Sequence, residues 1–139
     1  MFRRSALAAA TLPLLAPLAA CRSRPGGEAQ ARQRALPVVF FTDDSAAMGP
    51  EARAVIAEAA ERARARPGVP VAVRGFAAPD GVASPAFGRA LAEARAQNVA
   101  DALVANGVAR DRIRVQPRGP VPFEMMPVES RRVEIHVGG

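Results

Sequence analysis

The chain has 139 residues, enough for one compact domain once any processed segment is removed, and it holds six Phe, no Trp and no Tyr. Its core must therefore come from Ala, Val, Leu and Ile, which suits thin two-layer packing and a small binding or anchoring module. The formal net charge is +6, yet 13 of the 19 Arg and 12 of the 13 acids fall in residues 36–139, so that stretch is near +1 and lacks the excess charge that nucleic-acid binding needs.

At the N-terminus, Arg3 and Arg4 precede the apolar run ALAAATLPLLAPLAA. The run is too short and too interrupted by proline to span a bilayer, and residues 1–20 read as an export signal. It ends in LAAC, which resembles the lipobox of bacterial lipoproteins. The resemblance implies cleavage before Cys21 and acylation of its thiol and amine, so that acyl chains hold the protein on the outer-membrane lipid. Cys21 is the only cysteine, so no disulfide or thiolate metal site competes for it. Arg22 is not the Asp associated with inner-membrane retention, and the periplasmic face of the outer membrane is expected. An ordinary signal peptide followed by a chance cysteine is the alternative. Residues 21–35 are rich in Gly, Pro, Arg and Gln with no apolar period, as in a flexible tether. Its Arg residues suit anionic headgroups or plain solvation.

From residue 36 to 139 the pattern reads as one domain of order β-α-β-α-β-β. VVFFT (38–42) is a β-branched and aromatic strand, and Gly49-Pro50 marks the start of a helix that runs to Arg66. Glu51 in its first turn and Arg62, Arg64 and Arg66 near its end agree with the helix dipole, and Pro67-Gly68 stops it. VPVAVRG (69–75), IRVQP (113–117) and RRVEIHV (131–137) are strands, the last with Val133, Ile135 and Val137 on one face. Helices alternating with strands predict an α/β, two-layer βαβαββ sandwich, a small sheet with helices on one face.

The second helix begins at Ser84, a candidate cap, with Pro85 in its first turn, and stops at Asn106-Gly107. Arg89, Glu93, Gln97 and Asp101 form a solvated face, and Phe87, Leu91, Arg95, Val99 and Leu103 form the apolar one. Arg95 thus stands in an apolar stripe, where a guanidinium that cannot shed its proton needs an anion or an open mouth. Two readings stay open: an internal ion pair or snorkelling stem, and a ligand carboxylate.

Several of these residues recur in one family. Phe41 with Asp44, Gly75 with Gly81, Leu91 with Arg95, Ala96 and Val99, and Arg131 to Ile135 resemble, in order and spacing, the OmpA-like, peptidoglycan-associated domain. The resemblance implies that fold over residues 36–139, and non-covalent binding of peptidoglycan through the diaminopimelate of its stem peptide. In that family an Asp after the second strand and an Arg on the helix receive the ammonium and carboxylate of diaminopimelate, a task for charge-assisted hydrogen bonds of both signs. Arg95 matches the Arg, and Asp44 matches a polar position near the ligand pocket. The Asp position falls on Ala78, the usual helix Asn on Gly88, and the Asn before the terminal Arg pair on Ser130. Asp80 either fills the third position of a type I turn in APDG or reaches back as the ammonium acceptor.

No enzymatic constellation stands out. His136 is the only His and lies in an alternating strand, with no second His or Cys for a dyad or metal cluster, so neither metal nor cofactor is expected. Ser45, Ser84 and Ser130 lack an elbow or partner base. The sequence therefore predicts an outer-membrane lipoprotein that ties the membrane to the wall. Its alternative is an OmpA-like domain that has lost wall binding and contacts other envelope proteins.

Overall fold

The structure, a computed structural model, describes residues 35–42, 44–78, 85–122 and 127–139. Cys21, the tether ahead of Ala35, Pro79, Asp80 and Gly81 of the APDG turn, and the Ser84 cap lie outside the described residues. The elements are β1 (Val38–Phe40), α1 (Pro50–Arg64), β2 (Val71–Ala77), α2 (Pro85–Ala105), β3 (Ile113–Pro120) and β4 (Arg132–Val137), with single 3₁₀ turns at Arg110–Arg112 and Pro127–Ser130.

This is the predicted order, but not a sheet built in chain order. The strands run β1-β4-β2-β3, with β4 antiparallel to both β1 and β2, and β2 parallel to β3. The last strand is thus central. Its alternation places Val133 and Ile135 in the core and turns Arg132, Glu134 and His136 to the other face.

Strand β2 follows the same rule. Val71, Val73 and Ala77 are fully buried towards the helices, with Gly75 in phase between them. At Gly75 the helix comes so close that a Cβ would stand 2.0 Å from the Ala92 carbonyl oxygen and 2.9 Å from the Ala96 methyl. Only glycine permits this seat of α2 on β2. Alanines do the rest: Ala59, Ala60 and Ala63 of α1 and Ala92, Ala96 and Ala100 of α2 are all fully buried. Small residues here give a thin core in which Ile56, Val99 and Leu103 supply the bulk on the helix side.

The two helices stop in different ways. In α2, Gly107 takes φ +92°, its N–H donates to Val104 O at 2.9 Å, and Val108 N–H donates to Leu103 O at 3.1 Å. That is a Schellman stop, sealed by buried Leu103 and Val108. Helix α1 begins at Gly49 without a side-chain cap and has Pro50 in its first turn. It ends at Arg64, two residues earlier than predicted, and there a remote residue closes it. The Arg112 guanidinium donates to Ala63 O, Arg66 O and Val69 O at 2.8 to 3.0 Å. Carbonyls at a helix C-terminus carry partial negative charge, so the cation there both satisfies acceptors and favours the dipole.

The stripe of α2 also lies differently from the expected ladder. Val99 and Leu103 are fully buried and Leu91 is partly so, but Phe87 is 44% exposed. The buried line shifts to Gly88, Ala92, Arg95, Ala96, Val99, Ala100 and Leu103, which leaves Phe87 to one side of it. Arg89, Glu93, Gln97 and Asp101 are exposed, as the periodicity requires.

Candidate functional site

The exit of β1, the exit of β2 at Ala78 and the turn that enters β4 lie at one end of the sheet, because β1 and β2 both run antiparallel to β4. Arg95 projects from α2 into this end and is fully buried. Its Nε donates to Ser45 O at 2.8 Å, one terminal nitrogen to Thr42 O at 3.0 Å and the other to Phe76 O at 3.2 Å. The guanidinium carbon also stands 5.3 Å from the centroid of the Phe41 ring. One side chain therefore ties the exit of β1, its following loop and the end of β2 to the helix. A planar fork with five N–H donors can do this, and a lysine cannot.

Asn98, one turn further along α2, adds a second tie, donating from Nδ2 to Ala46 O at 2.9 Å. Sequence reasoning missed this residue. Its only signal is the position three after Arg95, which puts both on one side of the helix. Within the loop, Ser45 Oγ accepts from Ala47 N at 3.0 Å, and Asp44 is exposed with φ +43°. The left-handed region is one that Asp enters more readily than most side chains, so Asp44 serves the turn and presents its carboxylate to solvent.

The remaining family positions converge at the same end. Ala78 follows β2 directly and is buried, with 8% exposure. Ser130 is fully buried in the turn before β4, next to Arg131, whose carbonyl accepts from Phe41 N at 2.9 Å. Gly88 is buried on α2. The described part of the site thus holds a buried cation whose contacts include three backbone carbonyls, with one exposed carboxylate on the loop that it pins. Asp80 lies outside the described residues, two positions beyond Ala78.

His136, as expected, lies on the sheet face rather than at this end. Its Nε2 is 3.1 Å from Glu134 Oε2 and 3.5 Å from a terminal nitrogen of Arg74. Burial pushes the Glu134 carboxyl up, but hydrogen bonds from Arg132 and His136 outweigh it and hold the group below the usual carboxylate range. Asp101 is also lowered, by hydrogen bonds from Arg110 and then Gln97, on the exposed face of α2.

Comparison with known proteins adds the family. Among solved structures, the fold is similar to the peptidoglycan-associated lipoprotein from Burkholderia pseudomallei, at 20% identity and a TM-score of 0.66, covering 73% of this chain and 89% of that one. It is similar to the C-terminal domain of Helicobacter pylori MotB, at 23% identity and TM-score 0.65, covering 73% and 84%. It also resembles the OmpA-like domain of FopA1 from Francisella tularensis, at 21% identity and TM-score 0.62, covering 70% and 68%. No curated protein matches the sequence. Residues 40–123, more than half of the chain, match the OmpA family, and the chain belongs to it.

Proposed function

We propose that this domain binds peptidoglycan non-covalently at the Arg95 end, and that the chain is an outer-membrane lipoprotein, acylated on Cys21, that links the membrane to the wall. The observation that carries the reading is Arg95 itself, a buried guanidinium at the position where the family's resemblance puts the carboxylate-binding Arg, beneath a loop that presents Asp44. In this reading a diaminopimelate carboxylate displaces one neutral carbonyl from the guanidinium and forms a stronger, charge-assisted bond. The ammonium of the same zwitterion meets Asp44 or Asp80.

Cosedimentation of residues 36–139 with purified sacculi tests the site. Arg95→Lys keeps the charge and loses the fork, so binding is expected to weaken by about 1.5 to 3 kcal/mol, the scale of one hydrogen bond to a charged group. Fatty-acid labelling of the wild type and of Cys21→Ser tests the anchor, and an unlabelled mature wild type excludes it.

A second reading has its own support. Ala78 replaces the family's Asp, and Arg95 already holds the carbonyls of Thr42, Ser45 and Phe76. Both features fit a domain that has given up the wall and contacts envelope proteins instead. Ala78→Asp separates the two readings. Wall binding at this end predicts tighter sacculus binding by about 1 to 3 kcal/mol, while folded wild type and variant that both fail to bind leave the interaction module. If Asp80 is the acceptor, Asp80→Ala abolishes binding and Ala78→Asp adds little.

A further inference from the structure

The face of the sheet turned away from the helices carries three guanidiniums on three adjacent strands, Arg132 on β4, Arg74 on β2 and Arg114 on β3. Register places them together: Arg74 stands opposite Glu134 on one side and Gln116 on the other, and Arg114 stands opposite Ala72. Glu134 is the only carboxylate on these strands among the described residues, and it is already engaged, its two oxygens 2.8 Å from Arg132 Nε and 3.1 Å from His136 Nε2. Arg74 donates to Gln116 Oε1 at 3.1 Å rather than to an acid, and Arg114 is exposed. At the β1 edge of the same face, Phe40 pairs with Arg132 and is 54% exposed, with Val38 beside it.

We propose that this face docks on an anionic phospholipid surface, with Arg74 and Arg114 meeting headgroup phosphates and Phe40 entering the interfacial layer. On this face the Arg132 guanidinium covers the Phe76 ring at 4.3 Å from its centroid, so Phe40 at the edge is the aromatic left exposed, and a sheet with dispersed cations and that one exposed ring suits a soft, planar polyanion. A folded protein partner is less well served, because the core of such a contact is depleted in charge, whereas here the charged Arg74–Glu134–His136 group holds the middle of the face and the exposed ring stands at its edge. Guanidinium forks match phosphate oxygens, and an aromatic ring beside them adds burial at the membrane boundary. The sequence ahead of β1, the strand that carries Phe40, points the same way. It combines an apolar run with Arg22, Arg24, Arg32 and Arg34. The face is separate from the Arg95 end, so docking neither requires nor excludes binding of the wall there.

The chain has no Trp, so Phe40→Trp installs a fluorophore free of background. The full-length variant is reconstituted in vesicles containing brominated lipid, either phosphatidylcholine alone or phosphatidylcholine with phosphatidylglycerol. Phe87→Trp, on α2 and 44% exposed, reports the opposite layer. The expected result is strong quenching of the indole at position 40 in the anionic vesicles only, weakened by salt, with little quenching of the indole at position 87. Adding Arg114→Gln to Phe40→Trp should lower the ratio of docked to undocked protein about fivefold, the effect of one cation near an anionic surface. Arg114 is exposed, so its replacement should leave the fold intact, and circular dichroism checks it. Equal quenching in both lipids, equal quenching at both positions, or an unchanged ratio in the Arg114→Gln variant overturns the proposal. So does shielding of position 40 by sacculi or by an acidic protein in the absence of vesicles.

Discussion

Arg95 gathers the backbone of two strand exits, and the energetics of that one residue constrain how its role is tested. Replacing it with Ala leaves the carbonyls of Thr42, Ser45 and Phe76 without the donors they have now. A buried acceptor without a partner costs about 1 to 3 kcal/mol, so Arg95→Ala should destabilise the domain by about 3 kcal/mol or more, measured by urea unfolding. An unchanged midpoint would show that the clamp contributes nothing to the fold. Gly75 is the other residue whose identity is dictated by its surroundings. A methyl there would collide with the Ala92 carbonyl at 2.0 Å, and that carbonyl belongs to a helix backbone with no rotamer to change. Gly75→Ala should therefore push α2 from the sheet and cost about 3 kcal/mol, at the upper end of overpacking penalties, with a lowered melting temperature as the readout.

Among the elements, periodicity made most of the fold legible. The alternation of Val133 and Ile135 marked their burial, the four-residue repeat from Arg89 to Asp101 marked an exposed face, and Asn106-Gly107 marked the end of α2. Sheet order was not legible, because pairing β4 between β1 and β2 depends on contacts remote in sequence, which local patterns do not encode. The partners of Arg95 were hidden for a related reason: they are main-chain oxygens, and every residue has one. Its placement in the apolar stripe was visible, whereas the choice between ligand and internal partner was not. Phe87 was misjudged because the buried line passes through Gly88, which has no side chain to mark it, and leaves Phe87 one position to the side. Arg112 shows the same limit, since nothing nearby in sequence announces that it closes α1. Removing it with Arg112→Ala should expose the last carbonyls of that helix and lower stability by about 1 to 3 kcal/mol. Hydrogen exchange should rise in the last turn of α1 before it rises in β2. Uniform protection along α1 would show that the cap is dispensable.

For the molecule as a whole, charge is divided between an end and a face: a buried cation under the loop after β1, and a half-buried run of Arg132, Glu134, His136 and Arg74 across the outer face of the sheet. The second arrangement makes stability depend on pH. Burial alone would raise the Glu134 carboxyl, but hydrogen bonds from Arg132 and His136 prevail and its folded value is lowered. A depressed carboxylate stabilises the fold above its unfolded value, about 4.3 for Glu, and that contribution disappears as pH falls through the lower folded value. The domain should thus lose stability on acidification below about pH 4.3, where the unfolded chain takes up the proton first. Glu134→Gln removes the titration along with the charge. Wild type should be the more stable at neutral pH, and the difference between the two should shrink as the pH drops through the acid range. Thermal melts of both proteins across that range provide the measurement, and a constant difference would mean that Glu134 stabilises the sheet by packing rather than by its charge.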